Sequence, residues 1–151
     1  MTRSAGRCTT RRRRLAGLGI ACLVLAATGC EAPPHAAVVK CSGSNLSDVA
    51  VKRDCTVTIA RLDKQASASI KVPARRRQAF VRGRFSVQEG TVRIELRGNA
   101  GTKAEAIVTP DTPGTFESTL RLDRRDSAFR LRFHPEGEVS GLAGEVFYEA
   151  R

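Results

Sequence analysis

The amino-acid sequence predicts an all-β fold, a single antiparallel β-sandwich of about eight strands. Three observations predict it. From Cys55 onward, apolar residues recur at every second position in short runs, which is the period of a half-buried strand. Clusters of Gly, Pro, Asn and Asp punctuate those runs at short, regular intervals. No stretch carries a sustained apolar stripe at helical spacing with capping residues at its ends.

The first run is CTVTIARL (55–62), and SASIKV (67–72) comes after a turn at Lys64-Gln65 and ends at Pro73. In FVRGRFSV (80–87), Val81, Gly83, Phe85 and Val87 share one face, which leaves Arg82 and Arg84 on the other. After Glu89-Gly90, TVRIELR (91–97) alternates most cleanly: Val92, Ile94 and Leu96 face one way, and Thr91, Arg93, Glu95 and Arg97 face the other. The turn Gly98-Asn99-Ala100-Gly101 leads to KAEAIV (103–108), and Pro110 to Gly114 separates that run from TFESTLRL (115–122). There Phe116, Leu120 and Leu122 fall together, with Ser118 as the exception. AFRLRF (128–133) puts Phe129, Leu131 and Phe133 inward and Arg130 and Arg132 outward. His134-Pro135-Glu136-Gly137 reads as a turn before a closing strand, GEVFYE (144–149).

Ahead of this domain stands a different kind of sequence. Leu15 to Gly29 is uncharged and follows Arg11 to Arg14. A membrane-crossing helix needs about 20 apolar residues, so the run is too short and reads as the apolar core of a secretory signal behind a positive n-region. Ala27-Thr28-Gly29-Cys30 resembles the lipobox of bacterial lipoproteins, with Ala27 standing where that family usually has Leu. The resemblance implies cleavage before Cys30, a diacylglyceryl group on its sulfur, and further acylation, such as palmitate, of the new amino terminus. Each buried methylene adds about 0.8 kcal/mol of membrane affinity. The alternative is an ordinary signal cut near Gly29 that leaves Cys30 as a thiol. Thr10 to Leu15 also bears a likeness to a twin-arginine signal, so the export route stays open between the general and the folded-protein pathway.

The expected organisation is a signal peptide over 1–29, a lipidated tether over 30–44, in which Pro33 and Pro34 favour an extended spacer, and a sandwich domain over 45–151. The expected location is an exported chain held by lipid on a bacterial membrane, at its periplasmic face or the cell surface. Six of the 26 basic residues and none of the 15 acidic ones precede residue 30, so the formal charge falls from +11 to +5 on cleavage. That removes most of the electrostatic case for nucleic acid and leaves a mildly basic envelope domain. Cys8 and Cys22 depart with the signal, and lipid occupies Cys30. Cys41 and Cys55 remain as a pair in an oxidising compartment, where a disulfide is expected. Closing a loop of about 15 residues stabilises by about 3 kcal/mol on the chain-entropy account. No Cys or His lies at ligand spacing from this pair, so no metal or cofactor is expected.

The order of strands over 90–150 resembles the second half of galactose-binding-like jelly rolls, the fold of many carbohydrate-binding modules. The residues that carry the resemblance are Gly90, Val92, Ile94, Leu96, Phe116, Leu120, Arg130, Leu131, Phe133, Val146 and Tyr148. It implies a jelly-roll-like sandwich that binds carbohydrate without catalysis. Two departures stand against a sugar site of the usual kind. The chain has no Trp and Tyr148 is its sole Tyr, so there are few rings for sugar stacking. Nor is there an evident acidic cluster for the structural calcium that many such modules carry.

No catalytic residue is assigned. His35 sits in the tether; His134, with Glu136 or Glu138, forms the remaining acid–base candidate, and no nucleophile or oxyanion site accompanies it. Asp123 and Asp126 flank Arg124 and Arg125 and read as a charged turn. The candidate binding residues are the outward arginines Arg82, Arg84, Arg93, Arg97, Arg130 and Arg132. On one sheet they would form a basic wall able to hold carboxylates bidentately; the competing role is cross-strand pairing with Glu95, Glu105, Glu117 and Glu145. Arg75 to Arg77 form a separate basic loop that could meet anionic head groups. The expected function is a lipid-anchored, non-enzymatic envelope module that engages an acidic glycan or a protein. The alternatives are an accessory subunit of an envelope assembly and a small envelope hydrolase built around His134.

Overall fold

The computed structural model describes residues 35–43, 51–73, 76–123 and 125–150. Cys30, the leader and Arg75 lie outside them.

Eight antiparallel strands form the domain: β1 (Val38–Ser42), β2 (Val51–Leu62), β3 (Ala66–Lys71), β4 (Gln78–Ser86), β5 (Glu89–Gly98), β6 (Gly101–Val108), β7 (Gly114–Arg121) and β8 (Ala128–Ala150). They make two layers that share one strand. The first half of β8 lies between β3 and β5, with β6 beyond β5. Its second half lies between β2 and β4, with β1 beyond β2 and β7 beyond β4. Strands thus flank β8 on both sides along most of its length, which satisfies its backbone groups without leaving an edge.

Two expectations change here. His134 to Gly137 is not a turn: AFRLRF and GEVFYE are the two ends of one 23-residue strand. The strand changes layers by bending. In β8 the inward positions are odd through Phe133 and Val139 and even from Leu142 onward, and in β2 the neighbouring residues Ala60 and Arg61 both face out. Gly141, at φ 62°, lets the backbone make that change, because a side chain there would strain the left-handed conformation. The second difference concerns the expected spacer. Its residues 38–42 form β1, an edge strand paired with β2, so ordered structure begins before residue 45. Cys41 lies directly across from Cys55 in that ladder, 4.0 Å apart at Cα, and the two are joined by a disulfide.

The core is the sum of the alternating inward faces. Val57, Ile59, Val81, Phe85, Val92, Ile94, Leu96, Phe129, Leu131, Phe133, Val146 and Tyr148 are all buried. Ring contacts tie the layers together: Phe133 meets Phe85 edge-on with centroids 6.2 Å apart, and Phe129 meets Tyr148 at 5.6 Å. Gly144, across from Phe85 in the β4–β8 ladder, has the Phe85 ring over its Cα, in the space a Cβ would take. Burial pushes the Tyr148 phenol up, offset in part by the positive charge of Arg53.

Candidate functional site

The outward arginines do not form one wall. Arg93 and Arg97 on β5 and Arg130 and Arg132 on β8 share the outer face of the β3–β8–β5–β6 layer. Arg82 and Arg84 on β4 point from the opposite layer, on the far side of the sandwich. There Arg82 lies opposite Glu117 and Phe147, with its guanidinium 5.7 Å from the Phe147 ring centre. Arg84 lies opposite Glu145. Beside Arg84, an open depression of about 440 Å³ runs over Thr58, Ser86, Ala143 and Glu145.

The arginine-bearing face is built in rows across the strands. One row runs Ser69, Arg130, Arg97, Thr102 from β3 to β6, and the next runs Ser67, Arg132, Glu95, Glu105. A third holds His134, Arg93 and Ile107. Period-two strands paired in register place these side chains side by side, because neighbouring strands lie about 4.8 Å apart and every second residue points the same way.

At the centre stands Glu95. It is 8% exposed although it sits on the outer face, because its neighbours fold over it. Arg93 donates to its Oε1 at 2.6 Å, and His134 Nε2 lies 3.1 Å from the same oxygen. Thr102 donates to Oε2 at 3.4 Å, and Arg97 Nη1 lies 3.7 Å away. Arg93 also reaches Glu105 at 3.7 Å, which bridges two carboxylates that face each other across β5 and β6. Burial alone would raise the Glu95 pKa; the Arg93 hydrogen bond, together with the charges of His134 and Arg93, outweighs it and holds the carboxyl below its ordinary range.

The remaining cations are placed differently. Arg130 reaches Asp126 at 3.2 Å, in the turn that precedes β8, where Asp123 also accepts from the Arg125 amide. Arg132 makes no hydrogen bond or ion pair among the described residues. Alternation in the sequence places the arginines outward, but it does not show the central role of Glu95 and it puts His134 in a solvated turn. It also passes over Ser67, Ser69 and Thr102, whose positions in the alternating runs are the available signal. No group of metal-binding side chains occurs among the described residues.

No protein-family model matches the chain, and no curated protein matches it. Among solved structures it is similar to a CBM4 structure, at 12% identity over 78% of this chain and 88% of that one, with a TM-score of 0.38. It is also similar to the carbohydrate-binding module CBM6cm-2 from Cellvibrio mixtus lichenase 5A, in complex with cellotriose, at 10% identity over 75% and 86% of the two chains, TM-score 0.33. A third is the CBM36-1 domain of a multidomain xylanase from the hindgut metagenome of Trinervitermes trinervoides, at 8% identity over 60% and 75%, TM-score 0.35. At this level the likenesses carry nothing about a ligand. The sandwich stands on this chain's own strand pairing and ring contacts.

Proposed function

We propose that the chain is a lipid-anchored, non-enzymatic binding module of the bacterial envelope, which holds an acidic partner on the outer face of the β3–β8–β5–β6 layer. The observation that carries this reading is the meeting of Arg93, Arg97, Arg130 and Arg132 on one face, with Glu95, Glu105 and Asp126 as ion-pair partners of the first three and Arg132 left without one among the described residues. Guanidinium forks on a flat, preformed surface attract and orient carboxylates or phosphates. Cys30 supplies the anchor, by its lipobox resemblance, and the Pro33-Pro34 segment spaces the domain from the bilayer. An accessory subunit that docks through apolar surface fits less well, since Ile107 is the large apolar side chain exposed among the described residues.

The test uses the full chain, solubilised from membranes in detergent, with retention of acidic envelope material as the readout. Arg93→Glu combined with Arg132→Glu abolishes retention, whereas Arg82→Glu with Arg84→Glu leaves it within about twofold. Unchanged retention in the first double variant overturns the reading.

A further inference from the structure

The ionic contacts divide the arginine-bearing face into two halves, and assigning a ligand to either half rests on the binding role proposed for that face. One half is closed on itself. Arg93, His134 and Thr102 direct their polar atoms to Glu95, and Arg93 also reaches Glu105. The other half is only partly neutralised. Arg97 lies directly opposite Arg130 across the β5–β8 ladder, and each reaches one carboxylate to its side, Arg97 to Glu95 at 3.7 Å and Arg130 to Asp126 at 3.2 Å. Arg132 lies one row away with no ion pair among the described residues. Ser69 and Ser67 on β3 flank Arg130 and Arg132, and both are exposed.

The chemistry of this half selects among acidic partners. A protein interface draws its affinity from an apolar or aromatic centre that loses water. Between β3 and β5 the outward residues are Ser, Lys, Arg, His, Glu and Thr, and the one exposed large apolar side chain among the described residues, Ile107, is at the far edge on β6. A polymer of hydroxyls and carboxylates needs no such centre. Guanidinium forks hold its carboxylates in pairs of hydrogen bonds, and serine hydroxyls both donate to and accept from its hydroxyls. Glu95 already demonstrates that a carboxylate lies comfortably among these side chains.

We infer that Arg97, Arg130 and Arg132, with the Ser67 and Ser69 hydroxyls, form the subsite for a carboxylate of a uronate-bearing glycan. Arg93, His134 and Glu95 are positioning residues: they fix β5 against β8 and hold Arg97 at the rim of the subsite.

The experiment titrates the full chain in detergent with polygalacturonate, its methyl ester, dextran sulfate and poly-glutamate, by calorimetry at fixed salt. Polygalacturonate binds, and the methyl ester, which lacks the charge, does not. Arg132→Gln weakens polygalacturonate binding about tenfold or more, as expected for the loss of a charge-assisted pair. Arg132→Lys, which keeps the charge and the fold but not the fork, also weakens it. Ser67→Ala with Ser69→Ala weakens polygalacturonate binding while leaving dextran sulfate unchanged. Arg82→Gln with Arg84→Gln changes nothing. Polygalacturonate binding that is no tighter than that of poly-glutamate or dextran sulfate, and is itself unchanged in the serine pair variant, overturns the glycan assignment. An equal loss in the Arg82/Arg84 variant overturns the location. If acidic envelope material is retained through Arg93 and Arg132 while polygalacturonate is not bound, the binding role stands and this inference falls. If nothing acidic is retained at all, both fall.

Discussion

Glu95 is a carboxylate with little water around it and cations on two strands, and its energetics derive from that enclosure. Its pKa is lower in the folded chain than in the unfolded one, where it is about 4.3. Between those two values the unfolded chain binds more protons, so stability rises with pH there. The contribution of Glu95 is therefore complete above about pH 4.3 and is lost as pH falls through its folded value. Denaturant unfolding from neutral to acid pH checks this: Glu95→Gln flattens the acid limb while leaving carboxylates elsewhere to titrate as before. The variant is also less stable at neutral pH, because Arg93 and Arg97 then lose their shared anion. An unchanged acid limb would refute the account. The outward placement of Arg93, Arg97, Arg130 and Arg132 is legible from alternation alone, since the period of a strand assigns faces without knowledge of its neighbours. The burial of Glu95 is not. It depends on which residue of β8 lies beside it, and a single strand's pattern is silent about that.

At the scale of elements, β1 and β8 are the informative cases. β1 is an edge strand of five residues whose one ladder is to β2, and such a strand gains little from its own hydrogen bonds. The Cys41–Cys55 bridge pins it in register. Reduction, or Cys41→Ser with Cys55→Ser, lowers unfolding free energy by about 3 kcal/mol and exposes β1 amides to hydrogen exchange before those of β8. Equal protection of β1 with and without reductant would contradict that. The strand is hidden in the sequence because Val38 and Val39 come after a Pro-rich run and Lys40 to Ser42 show no apolar alternation. β8 is hidden for a different reason. Pro135 and Gly137 are turn residues in isolation, yet a bent strand between two layers needs the same chemistry. Gly144→Val tests the tight approach there: a branched side chain displaces the Phe85 ring, and a loss of about 1–3 kcal/mol is expected from overpacking.

Across the whole molecule, two ring contacts link the layers, and one of them gives a direct measure of how far the sandwich behaves as one unit. Phe133→Ala removes a fully buried ring that meets Phe85 from the other layer, and a cost of about 3–5 kcal/mol in denaturant unfolding is expected. Combined with Phe85→Ala, the loss is smaller than the sum of the two, because the rings share one contact; strict additivity would argue against packing between the layers. The proposed lipid anchor is tested on the whole molecule too. Native chain analysed by intact mass is expected to begin at Cys30 with acyl chains attached and to partition with detergent, and Cys30→Ser loses both. By itself the sequence determined neither β1 nor the continuity of β8, but it did determine most of the strand content, the faces of those strands and the pairing of Cys41 with Cys55. These come from local alternation and from the expectation that Cys41 and Cys55 pair in an oxidising compartment, neither of which needs a partner strand to be known. The tertiary structure decided which arginines stand together, how Glu95 is enclosed and that one strand serves both layers. Those depend on register between residues far apart in the chain, where a shift of one position would turn every side chain to the opposite face.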